Sequence, residues 1–143
     1  EKMESLPHIR RVPKQEGDWF EALMDLARYL RTPEGCPWDR QQSSLNFAGF
    51  MKEESEELLE ALRAEDNENV AEERGDCLFT LLAAAAAAEE EGRFKMEEVL
   101  KMAHEKMVRR HEHVFGENRA DTPEGAIDSW NRIKAEEKRR KNR

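Results

Sequence analysis

An all-helical bundle of four to five helices, dimerising through the bundle, is the fold the sequence predicts, and three observations carry that expectation. Apolar residues recur at three- and four-residue spacing in the long patterned segments, as on one face of an α-helix. No segment shows the apolar/polar alternation of period two that marks a half-buried strand. Hydrophobic residues make up 38% of the chain and charged residues 39%, so each buried stripe is narrow, and a homodimer or higher homo-oligomer is expected to bury what one bundle leaves open.

Residues 1–18 carry Pro7 and Pro13 with scattered charges and no periodicity, and read as an irregular arm. Residues 19–143 read as one helical domain. Its first helix spans 19–31, with Phe20, Leu23, Met24, Ala27 and Leu30 on one face and Asp18 as the expected N-cap. Two prolines and a glycine in 32–39 then form a compact loop. A second helix is expected over about 46–64, and a third over about 69–91, stopped by Gly92. The run Ala83–Ala88 permits close helix packing and is expected at a subunit interface. A fourth helix over about 95–110 has its stripe at Met96, Val99, Leu100, Ala103 and Met107. A fifth over about 123–140 starts with Thr122 as N-cap and Pro123 at the first helical position, where the missing N–H does no harm.

A chain of 143 residues suffices for one domain with its own modest core. Its net charge of −8 argues against nucleic acid as a partner, since that mode needs clustered Lys and Arg to neutralise phosphates. Cys36 and Cys77 cannot build a disulfide framework, and no basic-then-apolar leader is recognised, so the cytoplasm is the expected compartment. The longest apolar stretch, the 12 residues Cys77–Ala88, is short of the roughly 20 that a bilayer crossing needs, so no membrane partner is expected.

The chemistry is carried by acids. At about 100° per residue, Glu54 falls within the sector of Phe47, Met51, Leu58, Ala61 and Leu62, and Glu57 at its flank, whereas Glu53, Glu56 and Glu60 point away. An ionised Glu54 there is costly unless it meets a cation or a hydrogen-bond partner. On the next helix Glu73 and Asp76 lie one turn apart beside Val70, Cys77 and Leu81. If the two helices pack antiparallel, the four carboxylates converge at one level of the bundle. Magnesium, with manganese as a possible substitute, is the natural counterion, because both prefer oxygen ligands and bind phosphate readily. The bland alternatives are a solvated acidic face, or pairing with Lys or Arg across a dimer.

These residues resemble the MazG-like branch of the all-α nucleoside triphosphate pyrophosphohydrolases, whose signature is Glu-x-x-Glu on one helix and Glu-x-x-Asp on the next. Here these are Glu54 to Glu57 and Glu73 to Asp76, separated by the 15 residues 58–72. The segments Gly35-Cys36-Pro37-Trp38-Asp39, 106–116 (KMVRRHEHVFG) and 130–137 (WNRIKAEE) are also similar to the family, in order and spacing. The resemblance implies magnesium-dependent hydrolysis of a nucleoside triphosphate to monophosphate and pyrophosphate by a dimeric or tetrameric enzyme, with Glu54, Glu57, Glu73 and Asp76 as metal ligands and catalytic residues. Nucleotide-pool cleaning is the role it suggests. The chain departs from the family's pattern at Ser55 and Glu56, where a small apolar and an aromatic residue are usual. A narrower dUTP, dCTP or phosphoribosyl-ATP pyrophosphohydrolase stays open, as does a non-catalytic helical interaction module.

Lys106 and Arg110, four residues apart beside the fourth stripe, can reach over one ligand surface and are the candidates for the polyphosphate tail, as the resemblance also implies. Trp38 and Trp130 are suited either to stack on a base or to fill a core or interface, and Lys134, one turn after Trp130, is a weaker phosphate candidate. His111 and His113, with His104 or Cys77, match no closed zinc spacing.

Overall fold

Seven helices and no strands occur among residues 14–142, the part of the chain that the computed structural model describes. They fall into two compact units, one ending at Met96 and the other beginning at Glu97, within what the sequence reads as one domain. The arm expected over 1–18 lies mostly outside the described residues.

The first unit holds α1 (Glu16–Tyr29), α2 (Pro37–Gln41), α3 (Ser44–Arg63) and α4 (Asn67–Glu90). Helix α1 starts three residues before the expected Trp19, so Asp18 is not the N-cap. Gln15 holds that place without a side-chain hydrogen bond, and Asp18 sits in the first turn, where its charge suits the helix dipole. Side-chain caps do start α3, where Ser43 accepts from the Asn46 N–H, and α4, where Asp66 accepts from Asn69. The loop expected over 32–39 contains the one-turn α2, begun by Pro37 at a position that needs no N–H.

Helices α3 and α4 form an antiparallel hairpin tied at both ends. At the turn, the Asp66 N–H donates to Ala61 O and the Glu65 N–H to Leu62 O, with Glu65 in the left-handed region at φ 55°. At the open end Glu91 accepts from both the N–H (2.9 Å) and the hydroxyl (2.7 Å) of Ser44. Gly92, with φ 73°, ends α4 as expected, because only glycine adopts that conformation without strain. The core of the hairpin is Phe47 against Ala83 and Ala87, flanked by Phe50, Phe79 and Ala84. The alanine run therefore does not wait for a second subunit: Ala83 and Ala85–Ala88 are buried within the chain, their small side chains admitting neighbouring helices to close range.

Arg31 fixes the α2 turn. Its side chain is buried, its Nε donates to Glu90, and its two terminal nitrogens donate to the carbonyls of Asp39 (2.7 Å) and Gln42 (3.0 Å). Trp38, on that turn, stacks on Phe50 with ring centroids 5.6 Å apart, yet remains half exposed.

The second unit contains α5 (Met96–Arg110), whose first residue closes the first unit, then α6 (Glu112–Phe115) and α7 (Pro123–Lys141). Thr122 caps α7 and Pro123 opens it, as expected. Helix α6, a single turn after His111, was not foreseen; it packs on α7, and Arg132 bonds Glu112 between them (3.1 Å). The stripe expected on α5 is covered only in part: Met96 is buried, but Leu100, Ala103 and Met107 are exposed.

Candidate active site

The hairpin brings the two acidic pairs together. Glu54 and Glu57, one turn apart on α3, and Glu73 on α4 each offer a carboxylate oxygen within 4.8 Å of the others. Asp76, one turn beyond Glu73, is outside that tight set but close enough for its charge to act on both Glu54 and Glu73. Glu53, Glu56 and Glu60 are all exposed, as the helix arithmetic expects.

The cluster is electrostatically unsatisfied. Glu54 Oε2 and Glu73 Oε2 are buried and have no hydrogen-bond partner. Desolvation pushes both carboxyl groups above the ordinary carboxylate range, and the negative charges of Glu57 and Asp76 push the same way. Cys77 borders the cluster, and burial with the neighbouring Glu54, Glu73 and Asp76 raises its thiol too, so the donors this place offers are carboxylate oxygens rather than a thiolate. Two orphaned buried oxygens and an all-oxygen donor set fit a hard divalent cation. Among the described residues, no ion pair involves any of the four acids.

Apart from Trp38 on α2, the predicted phosphate and base contacts lie in the second unit, and it gathers several of them. A cavity of about 530 Å³ is lined by Lys106, Arg109, Arg110, Lys141 and Glu137, among others. Arg110 is held by two partners: Trp130 lies under its guanidinium, 5.3 Å from Cζ to the ring centroid, and Glu137 Oε1 accepts from Nε (3.1 Å) and Nη2 (2.9 Å). Glu137 Oε2 accepts from Arg109 Nε. Two guanidinium partners hold the Glu137 carboxyl down at about 2. Trp130 also meets His111 edge to face, with ring centroids 5.3 Å apart. Lys134, on α7, does not line the cavity.

Sequence reasoning missed Glu137. Its signal was available: Trp130, Lys134 and Glu137 fall at i, i+4 and i+7 on α7, one face of the helix, and the acid on that face has two arginines to answer it.

The MazG nucleotide pyrophosphohydrolase domain matches residues 42–115, the segment that carries all four acids together with Lys106 and Arg110. The chain is 40% identical over 128 residues to the nucleoside triphosphate pyrophosphohydrolase/pyrophosphatase MazG of Thermotoga maritima, covering 90% of this chain and 49% of that one. It is 37% identical over 123 residues to the nucleoside triphosphate pyrophosphohydrolase of Escherichia coli K12, covering 85% and 47%. It thus spans about half the length of these curated relatives. The crystal structure of a mazG-related protein from Thermotoga maritima superposes with a TM-score of 0.69 at 30% identity, covering 80% of this chain and 98% of that one. With just over half of its length matched by the family, and that half bearing the converging carboxylates, this chain belongs to the MazG nucleotide pyrophosphohydrolase family.

Proposed function

We propose that the chain hydrolyses nucleoside triphosphates to the monophosphate and pyrophosphate with magnesium as cofactor, in the cleaning of the nucleotide pool. The observation that carries this reading is the pair of buried, partnerless oxygens on Glu54 and Glu73 inside a cluster of acids. Such a cluster is costly to fold unless a cation answers it, and structural solvated faces do not bury their oxygens.

Glu54, Glu57, Glu73 and Asp76 are the residues that would hold the metal. Bound there, magnesium supplies charge neutralisation of the phosphate oxygens and acidifies a water, the two requirements of a phosphoanhydride cleavage that needs no covalent nucleophile. An acid oxygen of the cluster that is not engaged with the cation accepts the proton of the attacking water. The apolar backing of Phe47 and Phe50 keeps the hairpin rigid, so the carboxylates do not have to be ordered at the moment of reaction. Lys106 and Arg110 contact the phosphate tail in this reading, with Trp130 and Lys134 as the further nucleotide contacts. The free cysteines Cys36 and Cys77 suit a reducing cytoplasm, and no helix of the described residues is long and apolar enough to cross a membrane.

Pyrophosphate release from a mixture of nucleoside triphosphates, with and without magnesium, tests the reading. Release that requires the metal is the expected result; none under either condition leaves a helical interaction module.

The functional form is proposed to be a homodimer. The side chains that support it are Leu59 and Leu62 on α3 and Leu78 and Leu81 on α4, large apolar groups between 39% and 46% exposed. Sedimentation at micromolar concentration is expected to show no folded monomer, and a stable, fully active monomer would contradict the proposal.

A further inference from the structure

We propose that Glu137 is a positioning residue for phosphate binding: it holds the guanidinium groups of Arg109 and Arg110 side by side in the cavity lined by Lys106 and Lys141, leaving their remaining N–H groups for an anionic phosphate. This inference rests on the reading of Arg110 given under Proposed function.

The geometry limits what each arginine has left. A guanidinium has five N–H donors. Arg110 gives Nε and one terminal nitrogen to Glu137 Oε1, and Arg109 gives only Nε to Oε2, so most donors of both groups stay uncommitted to the carboxylate. Arg109 is the more open of the two arginines, its side chain 48% exposed and tied down by Glu137, whereas Arg110 and Glu137 are more enclosed. The side chains of Arg110 and Glu137 are 14% and 20% exposed, and Trp130 closes the remaining face of the Arg110 guanidinium. Of the charged residues lining the cavity, Lys106, Arg109, Arg110 and Lys141 are cationic and Glu105 and Glu137 anionic, so a net positive recess exists on a chain of net charge −8.

A carboxylate in such a recess can act in two opposite ways. As a competitor it occupies the anion's place, and removing it strengthens binding. As a positioner it removes beforehand the rotamer freedom of two long side chains, and removing it weakens binding. Because Glu137 bridges both guanidiniums through their Nε edge and leaves the outer nitrogens unused, ordering outweighs competition.

The test is calorimetric titration of the full chain with inorganic tripolyphosphate at fixed magnesium, alongside thermal unfolding. Glu137→Gln keeps the side chain's size and is expected to weaken binding roughly tenfold, the cost of re-ordering two long side chains. Glu112→Gln breaks another acid–arginine link of this unit, to Arg132, and is expected to leave affinity at the wild-type value while lowering the unfolding temperature about as much as Glu137→Gln does. Arg110→Ala is expected to weaken binding at least as much as Glu137→Gln. Tighter binding in Glu137→Gln identifies a competitor and overturns the inference. Equal losses in Glu137→Gln and Glu112→Gln mean general loosening and also overturn it. Unchanged affinity in Glu137→Gln beside a loss in Arg110→Ala removes the positioning role but keeps Arg110 as a phosphate contact. No tripolyphosphate binding by the wild type, or none lost in Arg110→Ala, overturns both.

Discussion

Glu54 and Glu137 are both half-buried glutamates on long helices, yet their surroundings drive them in opposite directions. Around Glu54 the nearest charges are acids, an oxygen is buried without a partner, and the carboxyl is pushed up. Around Glu137 two arginines donate, and the carboxyl is held at about 2. The contrast separates an acid that the fold has neutralised from one that it has not. A carboxylate that already owns two guanidiniums stabilises its own unit and has little to offer an external cation. A set of acids left facing one another opposes folding of the hairpin, and on the proposed reading a cation completes it.

The contrast is broken most severely by substitution. Glu54→Gln and Asp76→Asn keep volume and remove a ligand charge, and each is expected to lower pyrophosphate release by about a hundredfold or more, the scale on which loss of metal-site partners acts. Glu56→Gln, on the exposed face, is expected to be nearly silent. Because the like charges around Glu54 oppose folding, Glu54→Gln should melt no lower than the wild type without metal. A variant that loses both activity and stability would mark Glu54 as a structural residue.

Metal is the next and milder lever. A cation that binds the folded chain alone adds about 2.7 kcal/mol when its free concentration is a hundredfold above Kd. For a domain of this size that is about 5 to 10 °C in melting temperature. Magnesium is expected to give such a shift in the wild type and little of it in Glu54→Gln or Glu73→Gln, whereas Glu137→Gln should respond as the wild type does. Differential scanning calorimetry across a magnesium series reads this directly. An identical response in all four chains would place the ion elsewhere.

The helical fold and the acid cluster were legible because both depend on local periodicity. The 3.6-residue repeat puts Glu54 among apolar positions and Glu53, Glu56 and Glu60 outside them whatever the tertiary arrangement, and a short turn at 64–66 leaves the hairpin one way to close. What was not legible depends on partners distant in sequence. The alanine run was expected between subunits, but Phe47 and Phe50 on α3 reach into it from within the chain, which no period reveals. Arg110 was assigned to phosphate on its spacing from Lys106. Its ion pair with Glu137 spans 27 positions and depends on how α5 and α7 approach. The short helices α2 and α6 were unseen because four or five residues carry less than two turns of pattern.

The smallest expected effect, and the sharpest use of the contrast, is in acid. A carboxyl whose folded value is depressed stabilises the protein above its ordinary value of 4.5, and that contribution is lost as pH falls toward the folded value of about 2. Glu137 is one such group and Glu91, which accepts two hydrogen bonds from Ser44, is another at about 2. The wild type should therefore lose stability between about pH 4.5 and 2 through both. Glu54 and Glu73 contribute nothing to that loss, since groups raised on folding favour the folded state when protonated. Glu137→Gln is expected to shallow the fall in unfolding midpoint over this range without abolishing it, and Glu91→Gln to do the same. Glu89, held down by its hydrogen bond from Arg28, adds to the same fall. Urea unfolding followed by circular dichroism at half-unit steps from pH 5 to 2.5 measures the slopes. A Glu137→Gln chain that acid-unfolds along the wild-type curve would show that the arginine pair does not hold this carboxylate in solution, and the distinction between the neutralised and the waiting acids would collapse.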